Sequence, residues 1–246
     1  MKNSAKISSA LIFLIAVTAS AQQIQTDRPT ETEGPNAVAV HQLQVESGFS
    51  FEKKEDKKTF EIPEVVLRYG IFKNMELRVE AAMQTDNEAD NKVYGIKPAV
   101  AGIKYHLLDH KGLLPDMGLL VRVSIPWLAD NPYQKPKYSP EVRMLFQHEL
   151  SKSIHVGYNA GVHWLPDSGA PEYIYTLSAD HALFKNFKLV FETYGFTQSR
   201  HHAQNSADIA VLLIVNRDLQ LDLIAGSGIM HAQSEKFAEI GLSFRI

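Results

Sequence analysis

Residues 153–165, SIHVGYNAGVHWL, decide how the chain is read. Ile154, Val156, Tyr158, Ala160, Val162 and Trp164 form one alternate set, and His155, Gly157, Asn159, Gly161 and His163 form the other. A repeat of two marks an extended strand whose successive side chains point to opposite faces, here one apolar and one polar. Whether that apolar face touches a protein core or lipid is the question on which the fold turns.

Outward from this stretch the same alternation fills the chain. Residues 40–52 set Leu43, Val45, Phe49 and Phe51 against Gln42, Gln44, Glu46 and Ser50. In NMELRVEAAMQ (74–84), Met75, Leu77, Val79, Ala81 and Met83 oppose Glu76, Arg78, Glu80 and Gln84. AVAGIKYHLL (99–108) and MGLLVRVSIPW (117–127) repeat the pattern, with Lys104, His106, Arg122 and Ser124 on the polar side. Further strands are predicted near 59–70, 140–150, 173–183, 187–197, 206–215, 219–230 and 236–246, which makes twelve with the opening stretch. Pro63 predicts a bulge that restores the parity between Phe60 and Val65. No long segment of period 3.6 interrupts the series, which argues against βαβ folds.

The links alternate in length as well. KKEDKK, TDNEADNKVYG and LADNPYQKPKYS follow strands one, three and five, whereas LSK, FKN and NRD are three-residue turns after strands six, eight and ten. Bacterial outer-membrane barrels have this arrangement, with an even strand number, short periplasmic turns and longer outer loops.

An apolar-inside soluble barrel would alternate too, but about eight strands already enclose an interior that side chains just fill, so twelve suit a polar lumen. The polar faces carry Glu46, Arg68, Glu76, Arg78, Glu80, Lys104, Arg122, Glu141, Arg143, Lys188, Glu192, Asp222, Glu239 and Arg245. A basic side chain on the lipid face costs about 2–4 kcal/mol at mid-membrane. This set is therefore expected to line a pore, with both signs present and no strong preference for anions or cations. Aromatics on the apolar faces sort to the strand ends: Phe51, Trp127, Trp164 and Tyr173 at the outer rim, Tyr69, Tyr105, Phe187 and Phe244 at the periplasmic rim. Two such belts are what membrane interfaces select. The expected fold is an all-β transmembrane up-and-down barrel of about twelve antiparallel strands.

Lys2 and Lys6, the apolar run 10–17 and Ala19-Ser20-Ala21 read as a secretory signal peptide over residues 1–21, cleaved before Gln22. Cleavage removes two of the 25 basic residues and none of the 28 acidic ones, which moves the net charge from −3 to −5. An acidic chain without a basic stripe is a poor nucleic-acid binder. Cysteine is absent, which excludes disulfides, thiolate metal sites and a thiol nucleophile. Residues 22–39 are read as an irregular segment before a barrel domain at 40–246. The charges Asp27, Arg28, Glu31 and Glu33 would let that segment either plug the lumen or hang in the periplasm.

The stretches TDRPTETEGPNAV (26–38), QLQVESGFSF (42–51), VVLRYGIFKNMELRVEA (65–81), AVAGIKYHLL, YNAGV (158–162), FETYG (191–195) and RDLQLDLIAGSGI (217–229) occur in this order along nearly the whole mature chain. Together they resemble the bacterial family called "putative MetA-pathway of phenol degradation". The resemblance implies an outer-membrane barrel that passes small molecules, hydrophobic or aromatic ones among them. The final strand, with Ile240, Leu242, Phe244 and Ile246, looks like the one that barrel-insertion machinery reads, although it ends on Ile rather than an aromatic.

Chemistry beyond passage is not expected. His201 and His202 are adjacent in a loop and aim at no common point, and His106, His155 and His163 are read as lumen groups. His148, Ser151 and Ser153 lie near a short turn but match no nucleophile motif. The sequence therefore predicts a passive conduit without cofactor, metal or catalysis. A non-conducting anchoring barrel and a membrane-embedded lipid enzyme are the rival readings.

Overall fold

The computed structural model describes residues 23–89, 91–232 and 235–246. The expected signal peptide lies outside them. The strands are β1 (Leu43–Lys54), β2 (Lys57–Phe72), β3 (Met75–Glu88), β4 (Asn91–Ile96), β5 (Ala99–Leu108), β6 (Asp116–Ile125) and β7 (Ser139–Ser151), followed by β8 (Ile154–Trp164), β9 (Pro171–Phe184), β10 (Phe187–Gln198), β11 (Gln204–Asn216), β12 (Leu219–Met230) and β13 (Lys236–Arg245). Apart from β4 and β5, each pairs antiparallel with its neighbour in sequence, and β1 pairs with β13, which closes the sheet on itself. Both β4 and β5 pair with β3, so they are one barrel strand interrupted at Lys97 and Pro98. The result is a closed twelve-stranded antiparallel barrel. Closure leaves no open edge, the condition for a sheet to stand in hydrocarbon.

The faces are inverted relative to a soluble protein. Glu46 and Lys104 are fully buried and Arg143 is 1% exposed, whereas Leu223 and Phe191 are 53% and 52% exposed. The exterior is apolar and the interior charged. No described helix is long and apolar enough to cross a membrane; the crossing belongs to strands.

Two long links predicted by the sequence are not loops. Pairing continues to Lys54 opposite Lys57 and to Glu88 opposite Asn91, so KKEDKK apart from its Glu55-Asp56 turn, and most of TDNEADNKVYG, are strand. Beyond the hydrocarbon a strand no longer needs an apolar face, so hydrophobic alternation ends before the hydrogen-bond ladder does. Polar pairs across this ribbon, Lys97 Nζ to Glu61 at 2.6 Å and Lys57 Nζ to Asp86 at 3.2 Å, replace the apolar ones. The third link, residues 126–138, stays a loop with two single 3-10 turns, Pro126–Leu128 and Asn131–Tyr133, and its Tyr133 hydroxyl donates to the carbonyls of Gln84 and Val93 at the ribbon base.

Three local departures from the alternation have structural causes. Between β2 and β3 the register jumps from Glu61 to Glu64, so Ile62 and Pro63 form the bulge that Pro63 predicted. Thr193, on the outer face, donates its hydroxyl to the Ser206 carbonyl and hides its polarity. The stretch 211–214 is apolar on both faces because Leu212 and Ile214 point inward beside Val190 and Ile224, which gives the lumen one apolar wall.

If the exterior meets acyl chains, Leu223→Arg is expected to destabilise the barrel by about 2–4 kcal/mol, whereas Leu113→Arg, in a turn and 94% exposed, changes little. Urea unfolding in lipid vesicles checks the pair. Equal effects would show that the outer face is not lipid-facing.

Candidate functional site

Residues 23–39 form neither helix nor strand, so their backbone groups need partners elsewhere. They find them inside the barrel. The segment enters at the rim where the barrel strands begin and end, with Ile24 N–H donating to the Arg217 carbonyl at 2.8 Å. It rises to the level of Glu192, whose carboxylate accepts the N–H groups of Glu31 and Thr32 at 2.8 and 2.6 Å. It then descends to Val38, whose N–H donates to Glu76 at 2.7 Å, and leads into β1. Asn159 holds the descending limb, accepting from Glu33 N–H at 2.8 Å and donating to the Glu33 carbonyl at 3.0 Å. Of the two arrangements the sequence allowed, the structure has the segment seated in the lumen.

Charge is matched along this path. The Asp27 carboxylate meets three wall cations, Lys104 at 2.6 Å, Arg78 at 2.8 Å and Arg68 at 3.1 Å. Arg68 also bridges Glu46 and Glu76, each at 2.8 Å. Glu33 pairs with Arg78 and with Lys104, and Glu31 with Arg143 at 2.9 Å. Arg28 supplies the reverse polarity, reaching Glu64 at 2.7 Å, Glu239 at 3.2 Å and Asp222 at 3.7 Å. Arg122 ties Glu80 to Glu141 beside the segment. Buried ions cost several kcal/mol each to desolvate unless paired, and sharing carboxylates among cations lets a few anions satisfy many.

Arg245 and Lys188 of the expected pore set lie near strand ends at the rim, Arg245 paired with Asp218 of the β11–β12 turn at 2.7 Å and Lys188 3.9 Å from Asp180. Residues that sequence reasoning missed include Asn159, Thr176, Glu64 and Gly48. A Cβ on Gly48 would fall 2.2 Å from the Arg28 guanidinium, and one on Gly118 would fall 2.8 Å from the Pro35 carbonyl, so these bare positions are where the segment lies against the wall. The signal was present only as glycines on polar faces, which single strands do not distinguish from weak spots.

The segment divides the lumen. A cavity of about 250 Å³ lies on the side of the terminal rim, against the apolar wall of Val190, Leu212 and Ile214. Another, of about 340 Å³, lies toward the polar ribbon, lined by Arg28, Glu64, Arg122 and Asp208 among others.

Groups of other chemistry are present but committed. Ser139 Oγ lies 2.6 Å from His163 Nε2, and His163 Nδ1 lies 3.5 Å from Glu172, a sequence-distant trio that pattern reading did not pick out. Ser139 is buried, and the Trp164 carbonyl, also at 2.6 Å, competes for its single proton, so the trio clamps strand ends together. His148 contacts Tyr158, while Ser151 and Ser153 contact each other, which separates the serines from the imidazole. His106, Asp109 and Asp116 bring ligand atoms within 4.8 Å of one another. There His106 leans on the Pro35 carbonyl and Asp116 accepts from His110 N–H, uses that hold the turn and the segment together.

Replacing Arg68 with Met leaves Glu46, Glu76 and Asp27 facing one another, and a loss of about 3–5 kcal/mol is expected. Lys135→Met, which breaks an exposed pair with Asp167, should cost under about 1 kcal/mol. Urea titration of the barrel in vesicles reads both.

Among curated proteins none matches the chain by sequence. Solved structures share its fold. An outer membrane channel from Pseudomonas putida F1 superposes with a TM-score of 0.65 at 11% identity, over 88% of this chain and 99% of that one. The NanC porin gives 0.58 at 10% identity, over 81% and 98%. The translocator domain of the autotransporter NalP from Neisseria meningitidis gives 0.54 at 9% identity, over 85% and 89%. The family model described as "Putative MetA-pathway of phenol degradation" matches residues 26–246, and the chain belongs to that family.

Proposed function

We propose that this protein is an outer-membrane channel for passive passage of small molecules, hydrophobic or aromatic ones among them, and that residues 23–39 hold it shut at rest. The observation that carries the reading is the nature of the obstruction. Two chambers are separated by a segment fastened to the wall by ion pairs and hydrogen bonds, contacts that water and salt can replace, rather than by an apolar plug. In this reading the cations and carboxylates of the wall line the pathway, and no cofactor or covalent step takes part. The family name points to aromatic catabolism, and the Pseudomonas relative is called a channel; both are support at the level of family and fold.

On the same reading the chain is exported by its leader, inserted through recognition of β13, and oriented with the terminal rim in the periplasm. Outer-membrane fractions should then contain a protein whose gel mobility changes on boiling, as folded barrels do. A periplasmic protein without such a shift would refute the assignment.

The chain has no cysteine, so a new pair is a clean lock. The Thr32 and Thr176 hydroxyls are 2.8 Å apart, one on the segment and one on β9. In planar bilayers, the double variant Thr32→Cys/Thr176→Cys is expected to be silent at every salt concentration when oxidised and, once reduced, to conduct as high salt loosens the segment. Silence in both states at every salt concentration would favour the non-conducting anchor. Equal conductance in both would show that the segment is not the barrier.

A further inference from the structure

The chamber toward the polar ribbon contains a carboxylate that the ionic network leaves out. Asp208, in β11, is 6% exposed and lines this chamber, and neither of its oxygens accepts a hydrogen bond among the described residues. Its cross-strand neighbour Glu192 adds a second negative charge, already occupied by the N–H groups of Glu31 and Thr32. The chamber's own cations are engaged elsewhere: Arg28 with Glu64 and Glu239, Arg78 with Asp27 and Glu33, Lys97 with Glu61, Arg122 with Glu80 and Glu141. Acidic residues outnumber lysines and arginines in its lining by eleven to four. A buried carboxyl group without donor or counter-ion is an incomplete site, because its charged form goes uncompensated until a positive charge arrives.

Aromatic surface meets this carboxylate. Asp208, Gly226 and Phe237 stand in one row across three adjacent strands. A Cβ at Gly226 would fall 2.6 Å from the Asp208 Cβ and 2.3 Å from the tip of the Phe237 ring, so the glycine lets the two approach the same spot. The Tyr194 ring, also on the chamber wall, is 6.5 Å from that of Phe237. Ring faces attract cations, and a carboxylate beside them fixes where the charge sits. A volume of about 340 Å³ admits a small organic molecule.

We propose that the corner formed by Asp208, Tyr194 and Phe237 is a binding site for a small organic ammonium ion, with its charge on Asp208 and its apolar or aromatic body against the two rings. The site rests on the reading of the lumen as open to solutes, but it is measured at equilibrium and does not need conduction. It also replaces the expectation of a lumen indifferent to charge, because the sorting of carboxylates into this chamber favours cations there.

Titration calorimetry on the full mature chain in detergent, with phenethylammonium, 2-phenylethanol and phenylacetate as probes, separates charge from shape. Phenethylammonium is expected to bind at least tenfold more tightly than the other two. Asp208→Asn should remove that preference and weaken phenethylammonium at least tenfold, while Phe237→Leu weakens it severalfold and Glu55→Gln, in the distant β1–β2 turn, leaves it unchanged. The boiling-dependent gel shift verifies that each variant is folded. Equal binding of the neutral alcohol, no effect of Asp208→Asn, or no binding of the ammonium ion, as when Asp208 and Glu192 simply share a proton, would each overturn the proposal. Binding without conductance would sink the channel reading and keep the site; conductance without binding would do the reverse.

Discussion

One carboxylate, Asp27, receives three cations of the barrel wall, and the interior is built around that convergence. Hydrocarbon outside forces ionisable side chains inward, where Arg68, Arg78 and Lys104 project from neighbouring strands toward one place. Left alone, these cations would repel one another in a poorly hydrated space. The N-terminal segment supplies the compensating charge. Its irregular backbone is tolerated for the complementary reason: wall carboxylates and an amide accept the N–H groups that no strand pairing would satisfy.

The barrel was legible in the sequence because one physical rule, apolar out and polar in, is written every second residue. Twelve strands, their order and the bulge at Pro63 follow from it. The rule holds only within the hydrocarbon, which is why β4 and the extensions of β1, β2 and β3 were misread as loops: Lys57, Glu61, Asp86 and Lys97 pair by charge, and that pattern has no period. Leu212 and Ile214 defied the rule for another reason, since they face a lumen that is charged on one side and apolar on another.

The site was legible in kind but not in arrangement. Lumen-facing charge could be read from alternation, yet which carboxylate meets which cation depends on barrel closure and on the path of residues 23–39. Neither leaves a trace in local sequence. Asn159 sits on the polar face of the stretch that settled the fold, and only the seated segment shows it gripping Glu33 at both backbone groups. Gly48 and Gly118 likewise appear as weak strand residues until the segment is laid across them.

Arg28 touches Glu64 on β2 and both Asp222 and Glu239 on β12 and β13. These residues flank the seam where the first strand of the barrel meets the last, at the β1–β13 pairing. An open sheet would hold Glu64 at one edge and Asp222 with Glu239 at the other, with nothing to bind the guanidinium whole. Assembly therefore couples two events that look separate: zippering of the last strand onto the first also completes the berth that holds Arg28 of the leading segment.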